Sequence, residues 1–275
     1  MPDLLPISVI IMTRNNDDTL ERCLSSLSNF DDIHIVDSHS SDDTLDIAKR
    51  YNTQITAFDW NGQYPKKKQW CLENLTLTYD WVLYLDADEA LTPSFTRHLK
   101  HLVPSAITEG YFIKAKHVIG NKTLHFGLLN SKLALFRKST FYYPVIDDLS
   151  APGSFEVEGH YQPIPKKDVS IGIIHEPILH FNTDNIEHYK AQHETYSAWE
   201  AHMIKNNLYP DDPNMLRQWL KIFIRKNPLR PFLIFIYSYI FKLGFLDSKE
   251  GVLYAKLKAD YASNVLALLK ERKRQ

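Results

Sequence analysis

The chain reads as an α/β protein: a mixed sheet flanked by helices, Rossmann-like in build, with a helical extension at the C-terminus. Three observations predict this. Short apolar runs of strand length alternate with helix-spaced segments from Ile7 to Leu102, the order expected of βαβ units on a parallel sheet. Several strand-like runs separated by turn residues follow between Gly110 and Phe181, which makes the next part mixed or antiparallel. From Asp184 onward the apolar residues recur at helical spacing.

Taken in order, Ile7–Met12 is a β-branched run ended by Thr13-Arg14-Asn15-Asn16. Leu20, Cys23, Leu24 and Leu27 then share one helical face, with Asp18 and Glu21 placed as a capping box. Ile33–Asp37 is a second strand. The turn Ser38–Asp43 is rich in capping residues and starts a helix that runs to about Arg50. Ile55–Phe58 forms a third strand, and Lys66–Leu75 a helix entered through Pro65. Trp81–Leu85 is strand-length and apolar, the pattern of a buried parallel strand. Thr92 caps the next helix, Pro93 takes its first position, and Phe95, Leu99 and Leu102 form its buried face. The later strands are expected at 111–119, 132–136, 154–157, 169–174 and 177–181, with Gly120-Asn121 as a turn. In the C-terminal part, Ile186, Tyr189, His193, Tyr196 and Met203 share a face. A helix from about Pro213 places Leu216, Leu220 and Phe223 inside and Arg217, Lys221 and Arg225 on a basic stripe. The run Phe232–Phe241 is shorter than the roughly 20 apolar residues that cross a bilayer; it is either a core helix or an interfacial helix. A last helix spans about Glu250–Lys270.

The bulk numbers are those of a globular protein: 275 residues, 44% hydrophobic and 24% charged, with a net charge of −1. Cys23 and Cys71 offer neither metal spacing nor a disulfide framework, and the opening residues carry no secretory pattern. Both points set the expectation of a cytoplasmic protein. The charge is unevenly spread. Residues 213–275 hold 13 Lys/Arg against 4 Asp/Glu, and the remainder 19 against 29. Nucleic acid is one partner for such a basic segment. Its apolar content favours an anionic membrane surface, and no nucleic acid is expected.

The stretch with most chemical content is Trp81–Glu89, where a strand delivers Asp86, Asp88 and Glu89 together. Ligands of open α/β sheets sit outside the carboxyl ends of the strands. Two carboxylates at i and i+2 leave a strand on one face and can share a hard cation, and such a cation can neutralise a diphosphate. The alternative is a solvated acidic turn.

Three blocks, Ile7–Asn15, Ile33–Thr44 and Trp81–Glu89, resemble in order and spacing the signature blocks of family 2 glycosyltransferases, which have the GT-A fold. The chain is most similar to bacterial lipopolysaccharide core glucosyltransferase-like enzymes, whose acidic block also reads Asp-Ala-Asp-Glu. A Gly-Phe-Leu-Asp stretch follows an apolar helix there, as Gly244–Asp247 does here. The resemblance implies a catalytic GT-A domain over 1–182, with 1–104 as the nucleotide-sugar half and 105–182 as the acceptor half. It leaves 183–275 as a helical region and a candidate for membrane association. It further implies a nucleotide-diphosphate sugar donor such as a UDP-sugar, Mn²⁺ or Mg²⁺ at a DXD motif, inversion at the anomeric carbon, and a glycan or lipid-linked acceptor. An enzyme of lipopolysaccharide and cell-envelope synthesis, peripheral on the inner face of the membrane, is then expected.

Each expected site residue also has a physical reading. Thr13 and Asn15 leave the first strand where donors can meet the nucleotide. Asp37 is placed to accept from base or ribose, or else to cap a helix. Asp86 belongs near ribose and metal, and Asp88 is the direct metal ligand. Lys68 faces the diphosphate, unless Lys66-Lys67-Lys68 is a solvated charge run. His180 is a third metal ligand or a core histidine. Inversion calls for a carboxylate base. Asp147, Asp148, Glu156 and Glu158 are the candidates, with Glu158 first and Asp148 second, although this chain has Val157-Glu158-Gly159-His160 where related enzymes have Val-His-Glu. A catalytically silent glycan- or nucleotide-binding protein of the same fold is the alternative. A flavodoxin-like domain fits the long second half poorly.

Overall fold

The computed structural model describes residues 4–103, 107–152, 156–159, 161–181, 186–209 and 215–271, with backbone only at 188, 216–218 and 271. The chain divides into two compact units. One comprises Met1–Val118, Asn130–Pro144 and Glu156–Asn182, and the other Ile119–Leu129, Val145–Phe155 and Thr183–Gln275.

As far as residue 180 the elements are β1 (Ser8–Thr13), α1 (Leu20–Ser25), β2 (Asp32–Asp37), α2 (Thr44–Lys49), β3 (Gln54–Ala57), α3 (Lys67–Asn74), β4 (Trp81–Asp86), β5 (Glu89–Ala90), α4 (Pro93–Leu102), β6 (Gly110–Ile119), β7 (Lys122–Thr123), β8 (Asn130–Arg137), β9 (Phe141–Tyr142), β10 (Ile164–Pro165) and β11 (Ile171–His180). They build a mixed nine-stranded sheet with the neighbour order β3-β2-β1-β4-β8-β6-β11-β5 and β7 paired with β6, and β9 and β10 form a separate pair. β3, β2, β1 and β4 run parallel. β8 is antiparallel to both β4 and β6, and β11 is parallel to β6. Helices cover both faces of a central parallel strand, so β1 and β4 are buried almost throughout, which is why they read as unbroken apolar runs.

Several local expectations are corrected. The Asp18–Glu21 capping box does not form: α1 starts after Thr19 without a side-chain cap, and its first amides donate to the Asn16 carbonyl. The runs at 169–174 and 177–181 are one strand, β11, with a register shift between Ile174 and Ile178. Ser154 and Phe155 lie outside the described residues, and Glu156 and Val157 are not in a strand. The Thr92–Pro93 start of α4 is as expected, with the Thr92 hydroxyl accepting from the Phe95 amide.

The second unit is mainly helical: α5 (Ile186–Asn206), α6 (Met215–Lys226), α7 (Arg230–Ile236), a π turn at Tyr237–Phe241, a 3-10 turn at Gly244–Asp247, and α8 (Ser248–Glu271). Its core includes Tyr189, Trp199, Met203, Tyr254 and Val265. The Gly-Phe-Leu-Asp stretch has a structural role here. The buried Asp247 carboxylate accepts the backbone N–H groups of His125 (2.9 Å) and Phe126 (2.8 Å). A Cβ on Gly251 would lie 1.9 Å from the Gly244 carbonyl oxygen, so only glycine allows this close approach of α8. The expected inward face of α6 is overturned: Leu220 and Phe223 are exposed. Helical period identifies an apolar face but not what lies against it. Leu216, Arg217 and Pro213 lie outside the described side chains.

Candidate functional site

The register of the parallel strands brings the site together. Thr13 at the end of β1 pairs with Asp37 at the end of β2, and Met12 pairs with Asp86 at the end of β4. Thr13, Asp37 and Asp86 therefore stand side by side at one edge of the sheet. The Asp37 carboxylate accepts the Thr13 hydroxyl (2.7 Å), the Ser40 hydroxyl (2.5 Å) and the Ser40 amide (2.8 Å). Asn15, at a positive φ of 55°, donates its amide to the Ser40 hydroxyl and accepts the Ser41 amide. Asp37 thus ties the ends of β1 and β2 and caps a turn; the N-cap of α2 is Asp43.

After Asp86 the chain turns rather than continuing as a strand, so Asp86 and Asp88 take different partners instead of one face. The Lys132 ammonium, from β8, lies 2.7 Å from Asp86 Oδ2 and 2.5 Å from Glu89 Oε2. Glu89 is 2% exposed and also accepts the Asp86 amide at 2.9 Å. Asp88 Oδ2 lies 3.2 Å from His180 Nε2. The two-residue strand β5 explains this pairing: it places Glu89 opposite His180 on β11, and β6 places His117 on the other side, its ring 5.0 Å from that of His180. His180 Nδ1 is buried and has no hydrogen-bond partner among the described residues.

These contacts set the protonation states. Desolvation pushes the Asp86 carboxyl up, but Lys132 and then Lys68 outweigh it and hold it well below the usual range. Burial raises Glu89, and Lys132 offsets only part of that. Burial lowers Lys132, but Asp86 and Glu89 more than restore it, so its ammonium stays charged. Burial lowers His180, while Asp88 raises it further, above an ordinary imidazole.

The three lysines at the start of α3 are not a solvated run. Lys67 is 1% exposed; its ammonium meets the Ser38 hydroxyl at 2.5 Å, the Thr13 carbonyl at 3.3 Å and Glu156 at 3.5 Å. Burial is the main influence on Lys68 and pulls its pKa down, with Asp86 opposing. Glu158 is buried and accepts the amides of Lys68 (2.7 Å) and Gln69 (2.9 Å). α3 has no side-chain cap of its own, so Glu158 satisfies amides that its first turn leaves unpaired. Burial nevertheless raises the Glu158 pKa. Asp148 belongs to the second unit, where it is buried and accepts the indole N–H of Trp199 at 3.0 Å. The structure therefore groups Thr13, Asn15, Asp37, Lys68, Asp86, Asp88, Glu158 and His180 in the first unit and leaves Asp148 in the other. Sequence reasoning missed Lys132, Lys67 and the serines at 38 and 40. A lysine opening the apolar run Lys132–Phe136 was the available signal for the first.

The family model described as Glycosyl transferase family 2 matches residues 8–166. The chain belongs to this family. It is 24% identical to an uncharacterized glycosyltransferase of Rickettsia bellii over 253 residues, covering 88% of this chain and 81% of that one. It is 31% identical over 107 residues to the lipopolysaccharide core biosynthesis glycosyltransferase LpsC of Rhizobium meliloti, covering 37% and 38%. Among solved structures it is similar to the mannosyltransferase PcManGT of Pyrobaculum calidifontis in complex with GDP-Man and Mn²⁺, at a TM-score of 0.53 and 11% identity, covering 99% of this chain and 90% of that one. The fold of this glycosyltransferase is GT-A, with C-terminal helices added.

Carboxylate oxygens are the donors that Mn²⁺ or Mg²⁺ takes, while an imidazole beside them suits the transition metal of the two better than Mg²⁺. In this glycosyltransferase Lys132 already holds one Asp86 oxygen. No group of three His, Cys, Asp or Glu among the described residues is arranged to hold a metal. The donor types fit a divalent cation, with Asp88 and His180 as the pair not engaged by Lys132.

Proposed function

We propose that this glycosyltransferase moves a sugar, with inversion, from a nucleotide-diphosphate sugar to a glycan or lipid-linked acceptor of the cell envelope, working at the inner face of the membrane. The observation that carries the reading is the strand register that sets Thr13, Asp37 and Asp86 abreast at the carboxyl edge of the sheet. The Asp37 knot suits recognition of ribose and base, since it holds a carboxylate fixed where a hydroxyl can donate to it. Lys68 and Lys132 place positive charge beside the acidic turn, where a leaving diphosphate gathers negative charge. PcManGT, with its GDP-Man and Mn²⁺, supports a nucleotide-sugar donor and a divalent ion. LpsC supports an envelope glycan as product.

Asp88 would hold the Mn²⁺ or Mg²⁺ with Asp86 and His180, and the ion, when bound, supplies Lewis-acid stabilisation of the diphosphate. The acceptor hydroxyl gives its proton to a carboxylate. Glu158 is the first candidate, because burial raises its pKa and makes it the better proton acceptor. As base it would take the proton on a lone pair that the two amides of α3 leave free. Asp148 remains the second. The test is release of nucleoside diphosphate from a panel of UDP- and GDP-sugars with Mn²⁺ or Mg²⁺. Turnover should fall on the order of a hundredfold or more in Asp88→Asn, the usual cost of losing one electrostatic group at the reacting centre. Failure of the wild-type chain to bind or turn over any nucleotide sugar would overturn the proposal.

A further inference from the structure

Exposed large apolar side chains are unevenly distributed in this glycosyltransferase. Of 22 among the described residues, 15 lie between Met215 and Leu246. Trp219 (60% exposed) and Phe223 (53%) stack on α6 with ring centroids 5.5 Å apart, and Phe232, Phe241, Phe245 and Leu246 continue the surface through α7 and the two tight turns after it. The turns are not frayed ends. Gly127 donates its amide to the Lys242 carbonyl, Asp247 holds the amides of His125 and Phe126, and Leu243 and Ser248 bracket the 3-10 turn at positive φ. The backbone is fixed from behind while Phe245 and Leu246 point outward. A patch of this extent marks an interaction surface.

Its charges identify the partner. Between 215 and 249 every exposed charged side chain among the described residues is a lysine: Lys221, Lys226, Lys242 and Lys249. Of the other charges described there, Arg225 is half-buried over the Tyr209 ring, Arg230 is paired with Glu200 at 2.6 Å and Asp247 caps amides. A second copy of the chain across a two-fold axis would set this apolar, cationic face against itself and bring lysine to lysine. An anionic lipid surface complements both properties, because aromatic side chains favour the headgroup boundary and lysines meet its negative charge. The length of the segment suits lying on a bilayer rather than crossing it. Arg230–Phe241 spans roughly 18 Å as a helix, against about 30 Å of hydrocarbon, and no single described helix is long and apolar enough to cross. The bent pair Arg230–Phe241 with Gly244–Lys270 has the length and composition, but α8 already buries Tyr254, Ala255, Leu257 and Val265 within the unit.

We propose that the face from Trp219 to Leu246 is a monotopic seat for an anionic bilayer. This locates the membrane association of the proposed function, and its test is independent of the sugar chemistry. The full chain is sedimented, without nucleotide sugar, with vesicles of phosphatidylcholine alone and with phosphatidylglycerol added. We expect binding to the anionic vesicles, weakened by salt and much weaker on phosphatidylcholine. Trp219→Ser/Phe223→Ser/Phe241→Ser should lose about tenfold or more in affinity with an unchanged melting temperature, since none of the three is buried. Equal binding to both vesicle types, equal binding by the variant, or no binding at all would overturn the proposal. A wild-type dimer dissolved by the same substitutions would overturn it too, by assigning the face to a second copy.

Discussion

Lys132 in the first unit and Lys258 in the second are both drawn partly out of water, and their ammonium groups respond in opposite directions. Lys132 meets Asp86 and Glu89, and its pKa is held well above the ordinary range. Lys258, on α8, faces the Tyr254 ring at 5.1 Å, and burial lowers its pKa from 10.5 to about 8 with no carboxylate among the described residues to offset it. Burial alone therefore says little about a charge; what the chain places opposite it says more. In the first unit carboxylates are set against cations at the carboxyl edge of the sheet, as a site that handles a charged ligand requires. Among the described residues the second unit places no such carboxylates around Lys258; its buried charges, Arg230 with Glu200 and Asp247 on backbone amides, are matched by partners, and aromatic side chains are left in water along α6 and α7.

The largest effect should come from removing the compensation in the first unit. Lys132→Met leaves Glu89 buried and facing Asp86 with no cation between them. Breaking a buried pair in this way costs about 3 kcal/mol, toward the low end because Lys132 is 24% exposed. Thermal denaturation should show the loss, and Lys132→Met/Glu89→Gln should recover part of it. Mn²⁺ should bind the single variant more tightly than the wild type, read from the paramagnetic resonance of free ion, because a competing ammonium has gone. A variant that melts like the wild type would show that the pairing around Lys132 is incidental.

A smaller effect is expected in the second unit from Asp247→Ala. It strands two amides, at a cost of about 2 kcal/mol. Faster hydrogen exchange at His125 and Phe126 than at other amides of the unit would locate it. Unchanged exchange there would mean that the Gly-Phe-Leu-Asp stretch holds nothing.

What could be read beforehand follows from the range of each interaction. β1, β2, β4 and the capped start of α4 lie in contiguous residues, and their apolar period and capping chemistry identify them. The acids of Asp86–Glu89 were visible for the same reason. Lys132 is 46 residues from Asp86, and Glu158 caps α3 from 90 residues away, so no local window contains either pair. The clue to Glu158 was indirect: a helix opening on Lys66-Lys67-Lys68 has no acceptor of its own and must take one from elsewhere. β5 is two residues long and carries no period, yet it brings His180 to the acidic turn. The apolar face of α6 was legible, but its exposure depends on what packs against it, which no pattern encodes.

The smallest expected effect tests the other side of the comparison. With its folded-state pKa near 8, Lys258 must carry its charge in a desolvated position at pH 7. Lys258→Met removes that penalty; the full shift corresponds to about 3 kcal/mol, but Lys258 is only half-buried and solvent screens it, so the chain should gain on the order of 1 kcal/mol, the opposite sign to Lys132→Met. The pH dependence follows from linkage. Between pH 8 and 10.5 the unfolded chain still binds the proton that the folded chain has released. The unfolded state then holds more protons, and wild-type stability rises with pH through that window. The gap between wild type and Lys258→Met should accordingly be widest below pH 8 and close toward pH 10.5. A constant gap would attribute the stabilisation to better packing of methionine against Tyr254 instead. A destabilised Lys258→Met would show that the second unit compensates its buried lysine after all, and the contrast with Lys132 would fail.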